Sequence, residues 1–366
     1  MSYSDILKIY AFSLKSCQQL LIRHQKVSMA DHLRELATIA EAYDEHDVYG
    51  EGVLIEELEH QVAALLGKPS ALFLPSGTMA QPIALRIWSE HYKTPWFAMH
   101  PTSHIELHEL KGYQSLHGLS SILVGAADKP ITIEDMTKLT DPIGSAVVEL
   151  PMREIGGQLP DWNDLVAQSI YAKEKGFALH MDGARLWQCE GFYKKSLSEI
   201  ADLFDSVYVS LYKDIGGISG SILLGPSWFI DSARAWSRRC GGNLYSFYPY
   251  ILSTKLGLEK NMPHILRARD CAIWVAELFN TITDFSTTPV IPHTNMFHLT
   301  IRGDPNLILE NATKWNQSTG IGILPMPREV KPDSCTFELN FGSNVNSHPK
   351  DWWVKQINKF ISHIKI

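Results

Sequence analysis

Seven short apolar runs constrain this chain more than any other feature; they lie at 71–74, 96–99, 122–124, 146–150, 178–181, 207–211 and 221–224. Several are separated by helix-length segments, as repeated strand–helix–strand units require. Buried runs of this length, helically connected, predict an α/β fold with a mostly parallel seven-stranded sheet covered by helices. The seventh run follows the sixth after a short turn, which suits an antiparallel strand. Ahead of the sheet, residues 1–46 are helix-like and carry no recognisable chemistry. Ile55–Leu66 has apolar residues at helical spacing and stops at Gly67. After Pro249 the pattern changes to a helical stretch over about 250–282, a strand at Val290–Ile301, a helix over about 305–318, a strand at Thr336–Phe341 and a terminal helix. The division expected is an N-terminal helical segment plus large domain over 1–250, and a small C-terminal α/β domain over 251–366.

Open parallel sheets bind ligands beyond the carboxyl ends of their strands. Three features of this chain fall there. Lys213 ends the run Val207–Tyr212 and precedes the glycine-rich turn Asp214–Gly220. A lysine at a buried strand end is poorly solvated, so its neutral amine becomes accessible and can form a Schiff base with a carbonyl. Asp182 ends the run Phe177–Met181. Pro75-Ser76-Gly77-Thr78 joins the strand-like Ala71–Leu74 to an apolar helix-like stretch. Such a turn aims backbone N–H groups and the helix dipole at one spot, where a phosphate fits. Singly, these features also describe a snorkelling lysine, a turn aspartate and a helix cap. In the order phosphate turn, aspartate, lysine, they point to pyridoxal 5′-phosphate (PLP). The lysine holds C4′ and the carboxylate pairs with the protonated ring nitrogen.

Five segments then carry a resemblance: Asp47-Val48-Tyr49-Gly50, Pro75-Ser76-Gly77-Thr78-Met79-Ala80, Ser103-His104-Ile105, His180-Met181-Asp182-Gly183-Ala184-Arg185-Leu186, and the strand into Lys213. Together they resemble the threonine aldolase / aromatic amino acid β-eliminating lyase family, PLP enzymes of the aspartate-aminotransferase fold. The resemblance implies that Lys213, His104 and Asp182 are catalytic. It implies that Ser76, Gly77, Thr78, His104, Asp182, Arg185 and Lys213 line the cofactor site, with His104 stacked on the ring and Arg185 holding the substrate carboxylate. It further implies cleavage of β-hydroxy-α-amino acids, L-threonine or L-allo-threonine, to glycine and an aldehyde, by a homodimer or homotetramer. The alternatives are β-elimination on another amino acid and a PLP-binding sensor without turnover. His104, His108 or a phosphate-bound water could be the base.

The chain departs from the family pattern at several points. Its opening R-S-D-T segment has no match, and E-N-T-H becomes Glu149-Leu150-Pro151-Met152. Tyr212 and Tyr245 replace an expected serine and arginine, and Glu338 falls where an arginine for the substrate carboxylate is expected. The cofactor residues are therefore intact while amino-acid recognition is altered.

Composition narrows the function classes. A net charge of −7, with charges scattered, opposes a nucleic-acid surface. Five widely spaced cysteines with no C-x-x-C pair suggest neither zinc nor redox chemistry, and suit reduced thiols in the cytoplasm. No stretch approaches the ~20 apolar residues that span a bilayer, and no secretory leader is evident. His104 and His108 have metal-ligand spacing but no placed third ligand, so no metal site is expected.

Overall fold

The computed structural model describes residues 3–364. Contacts group them into two compact units. The larger comprises Val27–Glu154 and Gln158–Met262; the smaller comprises the described residues up to Lys26, Ile155–Gly157 and those from Pro263 onward. The first helix, Tyr3–Ser16, thus groups with the C-terminal residues rather than with the large unit. Its buried Tyr10 donates its hydroxyl proton to the Leu324 carbonyl at 2.8 Å. A division at residue 250 follows chain order alone and cannot register such a contact.

The larger unit is built on strands β1 (Ser70–Leu74), β2 (Trp96–Met99), β3 (Ser120–Leu123), β4 (Ser145–Glu149), β5 (Ala178–Gly183), β6 (Ser206–Ser210) and β7 (Ser221–Gly225). They form one sheet in the order β1-β7-β6-β5-β4-β2-β3. Neighbours from β6 to β3 are parallel, while β7 runs antiparallel to both β6 and β1. The tight return into β7 places Gly220 at φ 111°, where a Cβ would also fall 2.5 Å from the Phe73 ring. Strands β4 to β7 are buried throughout, as expected of sheet interiors covered on both faces. The helix Gly77–Tyr92 packs Ala80, Ile83, Ala84, Ile87 and Trp88 with Leu72, Leu74, Tyr208 and Leu223 of the sheet. The Trp88 indole N–H donates to Ser206 Oγ at 2.8 Å, so this core tryptophan is also polar-satisfied.

The smaller unit contains an antiparallel sheet of β8 (Phe285–Thr288), β9 (Met296–Arg302), β10 (Pro327–Lys331) and β11 (Ser334–Asn340), ordered β10-β11-β9-β8. The strand expected over 290–301 begins only at Met296. Pro289 and Pro292, which lack N–H donors, interrupt the approach to it. The helix expected over 250–282 is likewise two, Tyr248–Lys260 and Ile265–Asn280, separated around Pro263.

Candidate active site

Sheet register assembles the polar end of the larger unit. Glu149 on β4 pairs with Asp182 on β5, and Asp182 pairs with Tyr208 on β6. Three side chains capable of holding protons therefore stand side by side at adjacent strand ends, all buried. Connections leaving the same strand ends supply the rest. Arg185 follows β5, Lys213 follows β6, His104 follows β2, and Ser76–Thr78 follow β1.

Hydrogen bonds lock these connections together. Ser210 Oγ–H donates to the Ala184 carbonyl at 2.7 Å, and the Trp187 indole donates to the Ser210 carbonyl at 3.0 Å. Gln188 Nε2 donates to Asp214 Oδ1 at 2.6 Å. The segment carrying Arg185 is thus tied to the segment carrying Lys213. Across the site, Ser76 caps the helix Gly77–Tyr92 by accepting the Met79 N–H at 3.3 Å. By helix geometry, the first N–H groups of that helix, at Gly77 and Thr78, have no intrahelical acceptor. Gly77 also permits a close approach, because a Cβ there would fall 1.9 Å from the Tyr208 hydroxyl oxygen.

Electrostatics divide the groups into proton holders and proton losers. Burial, then the Arg185 guanidinium, push the Lys213 amine down to about 8. Among the described residues no salt bridge holds this amine, which lies 5.6 Å from the Tyr212 ring centre. Burial raises the Asp182 carboxyl, and the charges of Lys213 and His104 offset part of that rise. Burial and the neighbouring Asp182 raise Glu149 as well, while the Arg153 N–H donates to Glu149 Oε1 at 3.1 Å. His104 Nδ1–H donates to buried Glu109 at 3.0 Å, which raises the histidine pKa.

The residues singled out from the sequence therefore fall around one end of one sheet. Asp182, His104, Arg185 and Lys213 interact electrostatically, and Gly77 joins them through Tyr208. Ser76 is half-buried and Thr78 exposed at the same helix start. Two contributors escape sequence reading, and the part played by a third, Glu149 of the altered E-N-T-H block, is not legible there. Tyr208 reads as one more apolar member of a buried run. Glu109 and Glu149 have no local pattern that names their partners. His180, inside the most specific motif, is by contrast a core residue. It bonds Ser206 and Gln81, and burial pushes it down to about 3, so it stays neutral. In the smaller unit Glu338 is not a bare charge. Arg328 Nη1 donates to it at 3.0 Å, and His298 Nε2 lies 3.8 Å away.

These groups fit PLP. A half-buried amine with a lowered pKa suits bond formation with an aldehyde. A buried carboxylate with a raised pKa gains from a cationic N–H partner. A glycine-opened helix start suits a phosphate. Fold and site together define a PLP-dependent lyase. More narrowly, the chain belongs to the beta-eliminating lyase family, whose model matches residues 30–302. It is similar to a Listeria monocytogenes protein of known structure, assigned provisionally as an L-allo-threonine aldolase. That match has 39% identity and a TM-score of 0.93, and covers 98% of this chain and 100% of the other. An Exiguobacterium structure assigned provisionally as an aromatic amino acid beta-eliminating lyase/threonine aldolase matches at 38% identity and a TM-score of 0.91, over 97% and 99% of the two chains. Low-specificity L-threonine aldolase 1 of Arabidopsis thaliana is 26% identical over 304 residues, 80% of this chain and 84% of that one.

Proposed function

We propose that this chain cleaves β-hydroxy-α-amino acids, L-threonine or L-allo-threonine, to glycine and acetaldehyde. The observation that carries the reading is the placement of Asp182 and Lys213 at the ends of two neighbouring paired strands, each within the other's electrostatic influence, in a chain of this family. When bound, PLP supplies an electron sink for the bond broken at Cα. Lys213 would hold the cofactor's aldehyde carbon through an amine that burial makes partly neutral near physiological pH. Asp182 would accept the ring N–H and so favour the protonated ring nitrogen. Burial and the Asp182 charge push Glu149 up to about 7, which lessens the negative charge the pair carries. The N–H groups at Gly77 and Thr78 and the hydroxyls of Ser76 and Thr78 receive the phosphate. His104, fixed by Glu109, would cover the ring. Arg185 takes the substrate carboxylate, for which its planar fork is suited.

An even-numbered homo-oligomer, a dimer or tetramer, belongs to the same reading. Tyr49 and Tyr245 are 59% and 61% exposed, and their rings meet edge to face at 5.4 Å. Asp47, buried beneath them, accepts the Phe247 N–H at 2.7 Å and fixes the segment. A rigid, exposed aromatic patch is the kind of surface subunits cover. Among the described residues no helix is long and apolar enough to cross a membrane, and all five cysteines are unpaired. The cytoplasm, where thiols stay reduced, fits the latter.

Product analysis tests the function. Protein loaded with PLP and given L-allo-threonine should yield glycine and acetaldehyde in equal amounts. Ammonia with 2-oxobutyrate would establish β-elimination instead, and stable binding without product would establish a sensor.

A further inference from the structure

Two histidine–carboxylate pairs stand side by side near the site. His104 and His108 lie one helical turn apart, with ring centres 5.1 Å apart. His104 Nδ1 is engaged by Glu109 at 3.0 Å. His108 Nε2 is engaged by a different carboxylate, Glu154, at 2.8 Å. The two pairs differ in what they leave accessible. The His104 side chain is 33% exposed against 40% for His108, and Glu109 is 4% exposed against 12% for Glu154. Glu109 raises the His104 pKa and occupies its Nδ1, and the charges of Asp182 and Lys213 act on this ring, which ties it to the cofactor residues.

Among the described residues, charged groups facing His108 include Glu154 from the turn Arg153–Ile155 and His104 from its own turn, with Arg153 Nη1 3.7 Å from Glu154. Glu154 accepts the Nε2 proton, so the neutral ring is left with its lone pair on Nδ1. Proton gained at Nδ1 is then balanced by the carboxylate already bound at Nε2. A carboxylate bound at Nε2 orients the imidazole and leaves Nδ1 as the nitrogen able to take a proton, a general-base arrangement.

We propose that His108, aligned by Glu154, is the base that removes the β-hydroxyl proton, and that His104 serves the cofactor. This rests on the aldolase reading above. The hydroxyl proton moves to His108 Nδ1, and the O–H electron pair becomes the second bond of the leaving aldehyde. The Cα–Cβ pair stays on Cα, which takes one proton from water to give glycine, and His108 returns its proton to solvent. Glu154 is a positioning residue in this scheme.

The test separates the two reactions that share the cofactor. Exchange of a glycine Cα proton for deuterium, followed by NMR, involves no β-hydroxyl. In His108→Ala, L-allo-threonine cleavage relative to glycine exchange should fall by roughly 10²-fold or more, the usual contribution of a general base. Added imidazole should restore part of the cleavage. Glu154→Gln should lower kcat with little change in KM. Cleavage within about threefold of the parent, or cleavage and exchange falling together without imidazole rescue, would overturn the assignment. A parent protein that neither exchanges glycine nor cleaves threonine would remove the lyase reading and this base with it.

Discussion

Lys213 meets opposing demands, since the chemistry wants a neutral amine and water at neutral pH supplies an ammonium. Burial resolves the conflict first and the Arg185 charge second, bringing the amine from 10.5 down to about 8. A lowered lysine pKa means the reactive neutral form dominates above 8 and the ammonium dominates below it. Capture of PLP by apoprotein, followed by absorbance, should therefore rise with pH about a midpoint near 8. A rate still climbing towards a midpoint near 10.5 would show an ordinary exposed amine. Asp182→Asn should retain PLP yet lose roughly 10²-fold in kcat, because an amide cannot balance a pyridinium; one such electrostatic partner is worth about 3 kcal/mol. Near-normal turnover in that variant would refute the pairing. Lys213 and Asp182 are legible in sequence because each ends an apolar run. Glu109 and Glu149 are not, since their significance lies in partners set by the fold.

At the scale of elements, the site depends on how the helix Gly77–Tyr92 meets β6. Gly77 does not have a left-handed φ, so its backbone conformation alone would admit alanine. Its Cβ would nonetheless fall 1.9 Å from the Tyr208 hydroxyl oxygen, too close to exist unmoved. Gly77→Ala should stay folded by circular dichroism yet bind PLP at least about tenfold more weakly, as 1.4 kcal/mol of displaced phosphate contact gives. Normal PLP titration in that variant would show that the approach of helix and tyrosine does not shape the site. The seven runs of the large sheet are legible because each is a compact apolar block. The small sheet is less so. β10 is mostly exposed and carries charges, so no hydrophobic pattern marks it, and with it the Arg328 partner of Glu338 goes unseen.

For the whole molecule, the exposed Tyr49–Tyr245 patch sets the expectation. Light scattering should give twice or four times the 41.2 kDa chain mass in active protein. A monomer mass with full activity would end the idea that subunits cover the patch. The grouping of the N-terminal helix with C-terminal residues is invisible in sequence, because the Tyr10–Leu324 bond joins positions 314 residues apart. If Lys213 carries PLP, the bond it forms can be trapped and located chemically. Borohydride reduction of the PLP-loaded protein, followed by peptide mapping, should place the pyridoxyl group on Lys213 alone. A pyridoxyl group on any other lysine, or on none, would contradict the account.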